Sequence, residues 1–144
     1  MLNIKVQKIH QDAIIPKYAH QGDSGLDLYS IENYQLQPLE RKLIKTGLKL
    51  QIPEGYEAQV RPKSGLAITS GITVLNTPGT VDSCYRGEVG VILINLSKEP
   101  YQVEKGKKVA QLVFQKVEKA NLEEVVNLDE TKRNDGGFGS TGFN

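Results

Sequence analysis

The sequence predicts an all-β protein, a distorted jelly-roll-like β-barrel, on three observations. Short segments alternate apolar and polar residues with a period of two, turns rich in Gly and Pro separate them, and no apolar pattern of helical period runs for a useful length. Many short strands joined by frequent turns are typical of barrels and jelly rolls. We therefore expect one barrel domain over residues 1–130, followed by a flexible, glycine-rich C-terminal arm over residues 131–144.

The first half of the chain is expected to form strands around one short helical turn. Alternation of apolar and polar residues over 2–9 and over 43–52 predicts two half-buried strands. The turn Pro53-Glu54-Gly55 predicts that residues 56–60 form the partner strand of the second one. Residues 66–69 are expected to form one turn of helix.

The second half of the chain is organised around residues 76–95. A polar start with Gly and Pro and an apolar end predict a hairpin, with Val81–Tyr85 near its tip and residues 88–95 as the returning strand. The apolar run over 89–96 indicates a strand buried on both faces. After another β-like run, the acidic segment 121–130 predicts an edge strand and a turn of helix.

Composition restricts the partners and the location of the protein. The chain of 144 residues has a formal net charge of +1, so no overall field attracts it to nucleic acid or to a membrane, and an anionic ligand must be held by local groups. The apolar runs are too short to span a bilayer, and no signal peptide is visible. Cys84 is the only cysteine, which indicates a reducing compartment. A cytoplasmic protein is expected.

Several polar positions are candidates for a site, and each also has a plainer interpretation. Asp27 is flanked by two leucines, so it is either solvent-facing or an acid aimed at a cleft. Asp82 and Tyr85 can face one small pocket or lie in an ordinary surface turn. Gln111 interrupts an apolar segment, so it either lies on the outer face or is buried with partners.

A loop and the arm add candidates for an anionic ligand. Ser64 and Gly65 can expose backbone N–H groups at the start of a helical turn, with the charge of Lys63 beside them; the alternative is a basic loop. In the arm, Phe138 lies between glycines and near Arg133, so the arm is either disordered or a flap that orders over a phosphorylated, ring-containing ligand.

Five segments in this order resemble those of the trimeric deoxyuridine triphosphatases (dUTP pyrophosphatases, dUTPases). The segments are SGLDLYS at 24–30, RPKSGLA at 61–67, NTPGTVDSCYRGEVGV at 76–91, KKVAQLVF at 107–114 and RNDGGFGSTG at 133–142. Each motif alone is weak to moderate, but all five with this spacing are highly specific, and the resemblance covers essentially the whole chain.

The resemblance implies hydrolysis of dUTP to dUMP and pyrophosphate, which removes dUTP and supplies dUMP for thymidylate synthesis. Asp82 matches the acid that activates the water attacking the α-phosphorus, because an ionised carboxylate can accept the proton of that water. Tyr85 matches the residue that packs under the deoxyribose and excludes a 2′-hydroxyl by steric clash. The residues expected to contact uracil and its surroundings are Asn76, Gly79, Thr80 and Val81.

The same resemblance assigns the phosphate and metal contacts. Ser64 and Gly65 match a phosphate-contacting turn, and Gln111 matches a glutamine that hydrogen-bonds a phosphate. The family usually has Arg immediately before that Ser, whereas Lys63 keeps the charge without the bidentate fork. Mg²⁺ is expected on the triphosphate oxygens, with Asp27 acting on it through bound water.

The arm and the oligomer complete the expected site. Phe138 is expected to stack on uracil, and the other arm residues to contact the substrate, with the charged and hydroxyl groups clamping the phosphates. These other arm residues are Arg133, Gly139, Ser140 and Thr141. In the resembled family the sites lie between the subunits of a homotrimer, and the arm closes over the site of a neighbour.

Two other functions stay open on the sequence. A dCTP deaminase shares the fold and needs a glutamate near the base; Glu88 lies near the predicted hairpin, but it follows Tyr85-Arg86-Gly87 as in the triphosphatase pattern. Product analysis with dCTP separates these two enzymes. The second alternative is a dUTPase-like regulatory binding protein in which catalysis is secondary.

Overall fold

The computed structural model describes residues 1–144 and is built almost entirely of β-strands, which confirms the predicted all-β class. The elements are β1 (Lys5–Lys8), β2 (Leu26–Tyr29), β3 (Tyr34–Leu36), β4 (Arg41–Gln51), β5 (Tyr56–Arg61), α1 (Ser64–Ser70), β6 (Ile72–Val74), β7 (Gly79–Val81), β8 (Glu88–Asn95), β9 (Tyr101–Val103) and β10 (Lys108–Lys116). The single helix has seven residues, so no helix of this protein reaches across a membrane.

Two four-stranded antiparallel sheets enclose the core. One sheet has the order β1-β4-β8-β6 and the other the order β2-β10-β5-β7, while β3 and β9 form a separate pair. One cluster of 19 buried apolar residues fills the interior. Leu28 and Leu112 enter it from one sheet, and Ile44 and Leu93 enter it from the other. Both sheets therefore share one core, as expected for a single globular unit.

The strand β8 differs from its prediction. Burial alternates along it, with Val89, Val91 and Leu93 buried and the intervening Gly90 and Ile92 only half-buried. The prediction that this strand is buried on both faces is therefore wrong for one chain. The apolar composition of the outer face removed the period-two signal that would have distinguished the faces.

The predicted hairpin over residues 76–95 is also wrong. β7 pairs with β5 in one sheet, whereas β8 pairs with β4 and β6 in the other. Residues 82–87 therefore cross between the two sheets. The hairpin predicted at Pro53-Glu54-Gly55 is wrong for the same reason: β4 and β5 lie in different sheets, although the turn itself closes with a bond from Tyr56 N to Pro53 O of 3.2 Å. Adjacent strands with a tight turn can pair or change sheets, and local sequence does not decide between these outcomes.

The chain leaves the barrel soon after β10. The hydrogen bond from Val117 N to Gly55 O, 2.9 Å long, is the last backbone bond between the C-terminal region and the rest of the chain. Residues 118–144 contain no strand and no helix, so the edge strand and helical turn predicted over 121–130 are wrong. The large apolar side chains of this region, such as Leu122 and Val126, are exposed.

Candidate active site

A polar cleft of about 370 Å³ lies where β2, β10 and the loop before α1 meet. It contains four of the residues that the sequence singled out. These four are Asp27, Lys63, Ser64 and Gln111. The remaining lining residues are Ala19, His20, Asp23, Ser24, Gly25 and Lys108. Residues distant in sequence are thus collected in one cleft by the pairing of strands.

Strand register places Asp27 beside Gln111. The two residues are direct cross-strand partners between β2 and β10, and such partners project from the same face of the sheet. The Gln111 side chain donates from Nε2 to Pro62 O at 2.9 Å, which ties β10 to the loop before α1. A Cβ at Gly25 would come within 2.3 Å of Gln111 Oε1, so glycine is required there for this arrangement.

Two lysines hold the Asp27 carboxylate from opposite sides. Lys63 Nζ lies 2.5 Å from Oδ1, and Lys108 Nζ lies 2.7 Å from Oδ2. The Asp27 side chain is only 9% exposed. Burial opposes ionisation of this carboxyl group, but the hydrogen bonds and charges of Lys108 and Lys63 outweigh it, so the pKa of Asp27 lies below its ordinary value. Of the two interpretations left open by the sequence, the position of Asp27 agrees with an acid that faces a cleft.

The loop before α1 presents an open surface beside these lysines. α1 begins at Ser64, and Lys63 in the preceding position makes no side-chain cap for it. Ser64 and Gly65 are exposed, and a Cβ added at Gly65 would meet no atom within 4 Å. The first N–H groups of a helix have no partner within the helix, so this surface can donate to an anion.

The turn after β7 holds a second group of predicted residues. Asp82 is exposed at the end of β7, and Tyr85 N donates to Asp82 O at 3.1 Å. The Tyr85 ring folds over Gly87, where a Cβ would lie 2.2 Å from the Tyr85 hydroxyl oxygen, and that hydroxyl donates to Glu88 O at 3.0 Å. Gly87 therefore leaves the space that the tyrosine ring occupies, and the bond to Glu88 O holds the ring there.

The uracil-contact candidates lie next to this turn, on β7 and the loop before it. Asn76 and Thr80 are exposed, whereas Gly79 and Val81 are buried. A Cβ at Gly79 would approach Asn76 Nδ2 to 3.3 Å, so the small residue leaves room for the asparagine amide. This group of residues is called the β7 turn below: Asn76, Gly79, Thr80, Val81, Asp82 and Tyr85.

Within a single chain, the β7 turn does not lie at the cleft. In the sheet, Asp82 follows the edge strand β7, and Asp27 lies three strands away in β2. The strand register also displaces Asp82 from Asp27 by about four residues along the strand direction. With about 4.8 Å between neighbouring strands and about 3.3 Å per residue, the two aspartates are roughly 15–20 Å apart. No residue of the β7 turn lines the cleft.

The arm residues form a third group, and none of them lines the cleft. Arg133 Nε donates to Gly136 O at 2.7 Å, a contact within the arm itself. Phe138 is fully exposed, and Gly139, Ser140 and Thr141 are exposed beside it. No hydrogen bond or ion pair joins residues 118–144 to the rest of the chain. The predicted arm residues are therefore not brought to the cleft of their own chain.

Sequence reasoning missed Lys108 in the cleft. A regular strand would place residues 108 and 111 on opposite faces, because they are three positions apart. A register shift between Lys108 and Ala110 changes this and pairs Lys108 with Tyr29, on the face that also holds Asp27. No Gly or Pro lies within the shifted stretch from Lys108 to Ala110, so the stretch itself carries no mark of the bulge.

The donor groups of the cleft fit a metal ion that arrives with a ligand. No group of three or more His, Cys, Asp or Glu side chains is placed to hold a metal ion. Asp27 is the buried carboxylate of the cleft, and both of its oxygens already accept from lysines. Mg²⁺ usually retains several waters and binds through few carboxylates plus phosphate oxygens, which agrees with a contact from Asp27 through water.

The fold and the cleft define an all-β, jelly-roll-like protein in which two lysines flank a buried acid. The family model dUTPase matches residues 11–142. The deoxyuridine 5'-triphosphate nucleotidohydrolase of Clostridium novyi (strain NT) is 56% identical over 141 residues, covering 98% of this chain and 99% of that protein. The protein of the same description from Trichodesmium erythraeum (strain IMS101) is 53% identical over 141 residues, with the same coverage. This chain therefore belongs to the dUTPase family.

Solved structures agree with this assignment. The dUTPase of Staphylococcus bacteriophage 80alpha with dUPNHPP has a TM-score of 0.90 at 27% identity, covering 98% of this chain and 99% of that chain. A mutant dUTPase from phage phi11 of S. aureus, described with a coordinated structural Mg(II) ion, has a TM-score of 0.82 at 25% identity, covering 89% and 99% of the two chains. The recognition made from five sequence motifs is confirmed.

Proposed function

We propose that this protein hydrolyses dUTP to dUMP and pyrophosphate. The observation that carries the proposal is the cleft itself. It brings together three separate segments of a dUTPase-family chain: the loop with Lys63 and Ser64, the strand residue Gln111, and the buried Asp27. The protein would thereby remove dUTP and supply dUMP for thymidylate synthesis. Proteins with this activity work on the nucleotide pool, and a cytoplasmic location stays a prediction.

The phosphates of the substrate are assigned to the cleft. Ser64 and Gly65 offer hydroxyl and backbone N–H groups, Lys63 offers a positive charge, and Gln111 offers amide hydrogens. Mg²⁺ that arrives with the triphosphate would supply charge to hold the phosphates and to offset the charge of the leaving pyrophosphate. Asp27 would contact this ion through water.

The nucleoside and the attacking water are assigned to the β7 turn. Asp82 accepts a proton from the water as the water oxygen bonds to the α-phosphorus, and the bond from that phosphorus to the bridging oxygen breaks to release pyrophosphate. The Tyr85 ring, fixed over Gly87, packs under the deoxyribose and leaves no space for a 2′-hydroxyl. Asn76 and the backbone from Gly79 to Val81 recognise the uracil edge. Cytosine would leave buried donors and acceptors unpaired there.

The active site is proposed to be shared within a homotrimer. The support is the separation of the cleft from the β7 turn in one chain, because an acid that activates water at the α-phosphorus must lie directly beside the groups that hold the phosphates. In a closed symmetric oligomer, the β7 turn of one subunit can face the cleft of the next. The half-buried outer face of β8 offers apolar surface for such contacts. Sedimentation equilibrium should report three times the chain mass.

The arm is proposed to close over the site of a neighbouring subunit. Its exposed Phe138 would stack on uracil, while Arg133, Ser140 and Thr141 would clamp the phosphates. Closure would exclude water other than the attacking one and align the α-phosphorus. This assignment is supported by the absence of any hydrogen bond from these side chains to the barrel of their own chain.

The direct test is release of pyrophosphate from dUTP by the purified protein with Mg²⁺. Parallel reactions with dCTP, dTTP and UTP measure selectivity, and the products with dCTP are analysed for uracil. We expect rapid pyrophosphate release from dUTP and little from the other three. Formation of a uracil nucleotide from dCTP would favour the deaminase, and no turnover of any of the four would favour a binding protein.

A further inference from the structure

We propose that Lys108 is a positioning residue of the reaction assigned above, because it holds Asp27 and thereby frees Lys63 for the triphosphate. The inference rests on the proposed function only for the identity of the ligand. The contacts among the side chains of Asp27, Lys63 and Lys108 are present in the protein without any nucleotide. Lys108 itself is not assigned a contact with substrate.

Lys108 reaches the cleft through an irregularity in β10. Val109 and Ala110, which follow it in β10, are both buried although they are consecutive. Consecutive buried residues are incompatible with a regular two-residue alternation and agree with the register shift between Lys108 and Ala110. The bulge turns the Lys108 side chain to the face of Asp27, so this contact depends on an irregularity in the strand rather than on its general pattern.

The Asp27 carboxylate is shared between two cations. Each lysine takes one oxygen, at 2.5 Å for Lys63 and 2.7 Å for Lys108. Neither lysine side chain is buried, with 29% of Lys63 and 46% of Lys108 exposed, whereas Asp27 is 9% exposed. The carboxylate is therefore the fixed member of the group, and the two lysine side chains are the members that can move.

Binding of a triphosphate requires Lys63 to leave Asp27. Lys63 is assigned to the phosphates, but its amine is bound to Asp27 in the protein without ligand. If Lys63 were the sole partner of Asp27, its departure would leave a buried carboxylate unpaired, which is strongly unfavourable. Lys108 keeps one oxygen paired, so Lys63 can transfer to phosphate without that penalty.

The experiment compares three single variants for binding of a non-hydrolysable dUTP analogue by calorimetry and for turnover of dUTP. Lys108→Met should weaken binding and raise KM by about tenfold with kcat changed less than about threefold, because the loss concerns the release of Lys63 in the bound state. Lys108→Arg should restore most of the affinity, since a guanidinium can hold the same carboxylate. Lys107→Met removes the same charge from the neighbouring exposed residue and should change neither value.

A double-mutant cycle with Asp27→Asn distinguishes positioning from direct contact. The amide does not require a cation, so Lys108→Met should have less than about a twofold effect in that background. An equal loss of affinity in both backgrounds would overturn the proposal, because Lys108 would then act on the phosphates themselves. Failure of Lys108→Arg to recover affinity, or an equal loss in Lys107→Met, would overturn it as well.

A measurement without nucleotide separates this inference from the proposed function. The ¹³C resonance of the Asp27 carboxyl carbon at pH 7 should move in Lys108→Met protein and stay in place in Lys107→Met protein, with both proteins folded at the temperature of the measurement. An unmoved resonance in Lys108→Met would contradict the contact even if dUTP is the substrate. If dUTP is not turned over, a moved resonance still supports the contact between Lys108 and Asp27. The calorimetry is then repeated with inorganic triphosphate in place of the dUTP analogue, which tests the release of Lys63.

Discussion

The cleft and the arm are both assigned to one substrate, yet the protein holds them in opposite ways. Asp27 and Gln111 are paired across two strands, and their side chains have partners within the folded chain. Phe138 and Thr141 lie in a segment without strand or helix, and its hydrogen bonds connect near neighbours only. The cleft is therefore organised before a ligand arrives, while the arm has no partner in its own chain that fixes it.

This difference determines where the free energy of ordering is supplied. Fixing the backbone of one residue costs on the order of 1 kcal/mol or more, and folding of the barrel offsets that cost for the cleft. For the arm only a bound ligand or a neighbouring subunit can offset it. In the barrel, the positions of the reacting groups are set by the fold, so we expect substitutions there to change the reaction itself. Changes in the arm should lower activity without affecting folding.

The largest expected effect comes from the β7 turn, which belongs to the folded barrel, as the cleft does. Asp82→Asn keeps the size of the side chain but cannot accept the proton of the attacking water, so kcat should fall by ~10²-fold or more while the dUTP analogue still binds. Single-turnover measurements check this, with Glu54→Gln in an exposed turn as the control. A single-turnover rate within a few-fold of the parent protein would remove Asp82 from the role of base.

Removal of the arm tests the part of the site that lies outside the folded barrel. A chain ending at Thr131 should have kcat lowered by at least ~10-fold because the phosphate clamp is lost in the transition state. Its Tm and oligomeric state should be unchanged, since the arm makes no bond to the barrel. Thermal unfolding and sedimentation of the truncated chain measure this directly, and a clear drop in Tm would show that the arm contributes to the fold.

The contrast also explains how far the sequence could predict the structure. Alternation predicted the all-β class because the buried faces of the strands follow it. It failed at β8, where Gly90 and Ile92 on the outer face are as apolar as the buried positions. It failed again at the changes of sheet after β4 and β7, because a tight turn does not reveal which sheet the next strand joins.

The site itself was predicted unevenly for a physical reason. Asp27, Lys63, Ser64 and Gln111 were recognised from motifs and do meet in one cleft. Lys108 was missed because its position depends on a bulge. The placement of Asp82 and Phe138 relative to this cleft involves contacts between chains in our proposal, and no local pattern in one sequence encodes them.

A smaller effect is expected at the sugar position, where the β7 turn can be altered without touching the acid. Tyr85→Ala should lower the ratio of kcat/KM for dUTP over UTP by more than about tenfold, because the space for a 2′-hydroxyl opens. Tyr85→Phe is the matched control, since it keeps the ring over Gly87 and loses only the bond to Glu88 O. Equal ratios for the alanine variant and the parent protein would assign the choice of sugar elsewhere.

The smallest effect concerns stability in acid. The pKa of Asp27 is lowered in the folded protein, so its ion pairs stabilise the fold above the ordinary carboxyl pKa of about 3.9 and are lost as the pH falls through the lower folded value. Asp27→Asn should therefore cost on the order of 1 kcal/mol at pH 7, and the difference should shrink at pH values below 4. Urea unfolding at several pH values checks this, and a difference that grows in acid would contradict the sign.

The most direct measurement of the shared site is activity in mixed oligomers of two inactive chains. Chains ending at Thr131 supply an intact Asp82, and Asp82→Asn chains supply an intact arm. When the two are refolded together in equal amounts, about a quarter of the sites should combine Asp82 from one subunit with the arm of another, as random mixing in a symmetric oligomer requires, and turnover of dUTP should return in proportion. If confirmed mixed oligomers stay as inactive as their parents, the arm does not serve a neighbour's site and the account of a shared active site is wrong.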